Sequence, residues 1–75
     1  MNIVRFEISM EEFNFISDKF KRFIKTSKID LKRGDVFVLD VCSDSLYLGY
    51  SILCEVEFVQ NFDEFTIIQF YVLKY

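Results

Sequence analysis

Three segments rich in Val, Ile, Phe and Tyr fill the last forty residues of this 75-residue chain. The short polar separators between them leave few ways to arrange those segments. Residues 35–42, about 46–60 and 64–74 read as strands, divided by Ser43-Asp44-Ser45 and by Gln60-Asn61-Phe62-Asp63. Tight turns at those points make an antiparallel meander. Pairing Val41 with Leu48 sets Leu39 against Tyr50 and Phe37 against Ile52. Pairing Phe58 with Thr66 sets Val56 against Ile68, Cys54 against Phe70 and Ile52 against Val72. One continuous apolar face results, and a slip of one residue in either hairpin would turn it to the other side.

Upstream, residues 2–8 alternate Val4, Phe6 and Ile8 with Arg5 and Glu7, the period of a half-buried strand. Ser9-Met10-Glu11-Glu12 is a capping box: the Ser9 hydroxyl accepts from the Glu12 amide while the Glu12 carboxylate reaches back. Ile8 and Phe13 hold the two positions of a hydrophobic staple. Phe13, Ile16, Phe20, Phe23 and Ile24 recur at helical spacing, which predicts a helix from Met10 to about Lys25 and a loop to Gly34-Asp35. The expected fold is α+β in a single domain over residues 1–75. An N-terminal strand and one α-helix precede the three-stranded meander, which forms a curled sheet or a small β-barrel. Its core is read as Phe6, Phe13, Ile16, Phe20, Phe37, Leu39, Ile52, Val56, Ile68 and Phe70.

The second face of the meander carries Val36, Val38, Leu53, Ile67, Tyr71 and Leu73, interrupted by Asp40, Ser51, Glu55, Glu57 and Gln69. One helix covers one face of a sheet, so these six are a candidate protein interface, for a second copy or a host protein. Scattered surface hydrophobes are the plainer reading.

Catalytic signals are sparse. The chain has no His, the commonest general base. Gly34 and Gly49 stand alone, so no phosphate-cradling loop exists. Glu55 and Glu57 share a strand face but match ordinary solvent-facing acids, and Asp40, Asp44, Asp63 and Glu64 lack the order of a calcium loop. Cys42 and Cys54 are the only cysteines. They are too few for a zinc site, and the register places them on opposite faces, so no disulfide is expected. The reading is therefore a non-enzyme with no cofactor and no metal. No apolar run reaches the ~18 residues of a membrane span, and Arg5, Glu7, Glu11 and Glu12 interrupt any signal-peptide layout. A cytoplasmic location and no membrane partner are expected.

Charge is segregated. Residues 19–33 hold seven Lys and Arg against Asp30 alone, whereas residues 34–75 hold only Lys74 against seven acids. The net charge of -3 conceals that basic block. Lys21, Arg22, Lys25, Lys28, Lys32 and Arg33 are candidate phosphate contacts, since clustered cations release counterions from a nucleic acid. Tyr and Phe nearby offer stacking surfaces for unpaired bases. The same cations also suit the solvated side and C-terminal turn of an amphipathic helix.

Leu31-Lys32-Arg33-Gly34-Asp35-Val36-Phe37-Val38-Leu39-Asp40 resembles the K-x-G-D entry into a barrel strand of ASCH-type domains in the PUA superfamily, above all a compact bacterial and phage group. Gly49 to Val59 looks like the long strand of that group, and Phe65 to Leu73 is similar to its closing strand. In place of the usual His-containing first strand stands Asn2 to Ile8, and the Lys/Thr/Glu arrangement of the nucleoside-hydrolysing members has no match. The resemblance implies a PUA-like barrel and RNA or nucleotide binding in the cleft beside the helix and the basic loop. It also implies strand, rather than a last helical turn, over Phe23 to Thr26. The leading expectation is a small non-catalytic module that binds RNA or other single-stranded nucleic acid. The alternative is a phage-type accessory protein that inhibits a host protein through its apolar sheet face.

Overall fold

A computed structural model describes residues 3–75. It contains β1 (Val4–Ile8), α1 (Met10–Asp18), β2 (Phe23–Ser27), β3 (Val36–Ser43), β4 (Leu46–Asn61) and β5 (Phe65–Lys74). The domain is a sheet-dominated α+β fold in which one curled, half-barrel sheet carries five strands in the order β1-β3-β4-β5-β2. The expected β3-β4-β5 meander forms its centre. A three-stranded reading falls short, because β1 adds to β3 in parallel and β2 adds to β5 antiparallel. The first strand was expected from Asn2, which lies outside the described residues.

The helix starts where the capping box places it. Ser9 is extended (φ -80, ψ 164) and its Oγ accepts from the Glu12 amide at 3.0 Å. The Glu12 carboxylate pairs with Lys21 Nζ at 3.3 Å. The helix ends seven residues before Lys25, at Asp18. Phe20 is left-handed (φ 57), and the amides of Lys19 and Lys21 both donate to the Phe15 carbonyl, closing the last turn. The Arg22 guanidinium donates to the Ile16 carbonyl, a cation on the negative end of the helix.

Residues 23–27 are strand, as the resemblance implied and the helical spacing did not. The physical reason is cross-strand pairing. Ile24 sits opposite Ile68 and is buried, while Phe23, Lys25 and Ser27 point to the outer face. A helix through the same residues would leave β5 as an open edge over the core. Phe20, expected in the core, is 73% exposed at the helix exit, and Phe23 is also exposed.

Of three irregularities, at Asp40/Cys42, Leu53/Cys54 and Val56/Phe58, the first and last correct the register most. Near the turn Cys42 pairs with Tyr47 as expected, but β4 then accommodates extra residues around Gly49 (φ 91). Leu39 consequently faces Ile52 and Phe37 faces Cys54, a shift of two that keeps the inward side inward. In the second hairpin Val56 faces Phe70, Phe58 faces Gln69 and Val59 faces Ile68. The bulge at Glu57 flips the alternation, so Phe58 turns outward, 54% exposed, and Val59 takes the inward place. The β3–β4 turn has positive φ at both Asp44 and Ser45 (51 and 66), the backbone of a tight type I′ hairpin.

Inside the curl, Phe37, Leu39, Val41, Ile52, Cys54, Val56, Ile68 and Phe70 are buried with Ile16 from the helix and Ile24 from β2. Phe6, Phe37 and Phe70 form a chain of edge-to-face rings with centroids 5.6 Å apart. The helix lies over this face, and Phe13 packs beside Tyr50 and Tyr75. Phe37, Ile52 and Val72 share one side of the sheet, as the meander requires.

Gly34 and Asp35 deliver the chain to β3. Gly34 has φ 93, and its amide donates to the Val56 carbonyl at 2.9 Å. The Asp35 carboxylate accepts from the Lys32 amide at 3.0 Å, and the Asp35 carbonyl accepts from the Val56 amide at 2.8 Å. The Gly-Asp pair thus ties the basic loop to β4. Among the described residues no helix is long and apolar enough to cross a membrane.

Candidate nucleic-acid interface

The six cations singled out in the sequence do not form one cluster. Lys21 and Arg22 lie at the junction between α1 and β2. Lys25 lies in the middle of β2, and Lys28 just beyond its end. These four follow the β2 edge of the sheet. Lys32 and Arg33 belong to the loop before β3, and Arg33 is near enough to Tyr71 for its charge to act on the phenol.

All four edge cations have partners within the chain. Lys21 pairs with Glu12 and stands 5.3 Å from the Phe23 ring centroid. Arg22 donates to the Ile16 and Lys21 carbonyls and lies 5.4 Å from the Phe20 ring. Lys25 Nζ is 4.4 Å from the Phe65 ring, and Lys28 Nζ donates to the Phe62 carbonyl. The Lys25 contact follows from strand geometry. Lys25 faces Ile67 across the ladder, which sets Phe65 diagonally beside it on the same face.

The sequence puts Tyr and Phe near the cations as stacking surfaces without singling out these rings. Phe23, Gln69 and Phe58 are level with one another on β2, β5 and β4, so two exposed phenylalanines flank one glutamine on the outer face. Two strand spacings put them about 10 Å apart. Phe62 and Phe65 stack at the β4–β5 turn with centroids 4.6 Å apart and planes 19° from parallel. Phe20 completes the set at the helix exit. The helical spacing puts Phe20 and Phe23 on an apolar stripe, and the strand alternation puts Phe58 on the apolar face of the meander. The one available signal was the run of cations beside Phe20, Phe23 and Phe65.

The expected protein face is smaller than its residue roll. Val38 is buried, level with Arg5 and Leu53 in the register, and Leu53 and Ile67 are half-buried. Val36, Tyr71 and Leu73 remain exposed. Tyr71 Oη donates to Glu57 Oε2 at 3.0 Å, and that contact raises the phenol above its ordinary range.

A second polar region lies at the far end of the outer face. Arg5 grips Asp40 with two donors at 2.8 and 3.1 Å, Ser51 Oγ donates to Asp40 Oδ1 at 2.7 Å, and Tyr47 Oη is 2.8 Å from Ser51. The hydrogen bond from Arg5 holds the Asp40 carboxyl below the usual carboxylate range. Glu7, Cys42 and Ser45 join Arg5, Asp40 and Tyr47 around an open hollow of about 350 Å³.

Both cysteines are free thiols. Burial pushes Cys54 up to about 12, and Cys42 is raised by burial and then by Glu7. Neither supplies a thiolate near neutral pH. Across the mouth of the half-barrel, Phe6, Glu7 and Ile8 of β1 face Ile24, Lys25 and Thr26 of β2 over a cleft of about 200 Å³, with Glu12 at its rim. No protein-family model matches the chain, and neither does any curated protein.

Proposed function

We propose that this domain is a non-catalytic module that binds RNA or another nucleic acid along the β2 edge. The observation that carries the reading is the file of Lys21, Lys25 and Lys28 along the β2 edge, before, within and just past that strand, beside exposed phenylalanines. Edge-strand lysines also discourage strand-to-strand aggregation, but that role gives no reason for the rings beside them. Arg22 serves the helix end through its carbonyl contacts, so Lys21, Lys25 and Lys28 are the principal phosphate contacts. Lys32 and Arg33 extend the positive surface from the adjoining loop. The resemblance to ASCH-type domains points the same way, with the half-barrel standing for their barrel.

Fluorescence anisotropy with labelled RNA and single-stranded DNA over a salt series tests the reading. Three phosphate contacts predict a log–log slope of about -2 on single strands. Lys25→Glu combined with Lys28→Glu should remove most of the affinity and flatten the slope. A flat salt dependence, or no binding, would sink the proposal.

A further inference from the structure

We infer that the outer face beside β2 takes unpaired bases, stacked on Phe23, Phe58 and the Phe62–Phe65 pair, in exchange for the cations that now cover some of those rings. The inference rests on the nucleic-acid reading and names its substrate class, a single strand rather than a duplex.

Two facts lead to it. The exposed rings lie where nothing in the fold requires them: Phe58 reaches the outer face only through the bulge at Glu57, and Phe23 occupies an outward position of an edge strand. Large apolar rings held in water gain by being covered. The cations are the second fact. Lys21 stands over Phe23 and Lys25 over Phe65, so these two rings are each matched with a positive charge.

A nucleotide carries both complementary parts, a flat π-surface and a negative phosphate. When a base slides onto a ring, the displaced ammonium is left within side-chain reach of the phosphate of the same strand. One attraction is exchanged for two, stacking and a charge-assisted contact. A duplex keeps its base faces inside its own stack and provides only the phosphate half. An acidic peptide provides charge without the flat face. Gln69, level with Phe23 and Phe58, adds an amide donor and acceptor for a base edge between them. On one side the patch ends at Asp63 and Glu64 in the β4–β5 turn, which repel phosphate. The strand's backbone therefore runs along β2 rather than across that turn.

Anisotropy titrations compare four labelled probes of equal length: a single-stranded RNA, an abasic strand and a polyglutamate peptide of matched charge, and the RNA duplex, which carries twice that charge. The expected order is single strand tightest, with the other three at least tenfold weaker. Phe23→Ala and Phe58→Ala should each cost about tenfold on the single strand and leave the abasic strand unchanged. Both side chains are surface groups, and circular dichroism checks that each variant is folded. Equal affinity for the normal and abasic strands, or unchanged binding by both variants, overturns stacking and leaves phosphate binding standing. Equal or tighter binding of polyglutamate overturns it in favour of an acidic protein partner. Failure of every probe removes the underlying nucleic-acid reading itself.

Discussion

The two faces of this sheet obey different rules. The inward face is dry and closely filled: Phe37, Leu39, Ile52, Ile68 and Phe70 are at most 1% exposed, and the one buried polar side chain among the described residues, Thr66, has both its partners. The outward face is assembled from local pairs, with Arg5 on Asp40, Tyr71 on Glu57 and lysines over phenylalanine rings. Phenylalanine is abundant on both, so residue type does not distinguish them. Position in the strand alternation does, as shifted by the bulge at Glu57. Stability belongs to the first face and, on the function proposed above, recognition to the second; substitutions of the same chemistry on opposite sides measure that division.

The largest expected contrast is between Phe70→Ala and Phe58→Ala. The first opens a cavity against Phe37 and should cost about 3–5 kcal/mol, enough to unfold much of a small domain at ambient temperature. The second removes an exposed ring and should alter stability by no more than about 0.5 kcal/mol. Urea unfolding of the two proteins side by side gives both values, and comparable losses would erase the distinction between the faces.

Thr66→Val gives a smaller effect. Thr66 Oγ1 donates to Asn61 Oδ1 at 2.9 Å and accepts from the Ile29 amide at 3.3 Å. Replacing the hydroxyl by a methyl leaves a half-buried amide without its acceptor, at about 1–2 kcal/mol. An unchanged urea midpoint would mean that the pairing of loop 28–35 to β5 does not depend on this contact.

The smallest effect concerns Asp40. Its carboxyl is held below the usual range, first by the hydrogen bond from Arg5. A depressed carboxylate adds stability above its unfolded-state value, and that stability disappears as pH falls through the folded value. In an NMR titration the Asp40 midpoint should lie below the ordinary value of about 3.9 and move up toward it in Arg5→Gln. Between pH 4 and pH 2 the wild type should lose more stability than the variant does. Identical titration curves would show that this outer pair has no energetic role.

Much of the architecture was legible in the residues. Alternation in β1, the Ser9 cap and the turn at Asp44-Ser45 all have short-range causes, and each stands where the sequence puts it. What escaped was non-local. Phe23-Ile24-Lys25-Thr26-Ser27 satisfies helical spacing as well as strand spacing, and only the open edge of β5, forty residues on, decides between them. The bulge at Glu57 leaves no mark in composition, so Phe58 was assigned inward and the aromatic surface was hidden. The cations were visible as a block, yet their division into an edge group and a loop group follows from the strand at 23–27. Val38 shows the same limit: the alternation correctly gives its side of the sheet, but neighbouring strands bury it there.

The strand order has a temporal side. Both strands of the first 27 residues are outer members of the sheet: β1 pairs with β3, and β2 pairs with β5 at the far end of the chain. As the polypeptide emerges from a ribosome, β2 therefore waits unmated until β5 has been made. The two central hairpins can zip early, from short loops, whereas the flanks dock late and over long separations. During that interval a lysine-studded flank is a safer one to leave open than an apolar one.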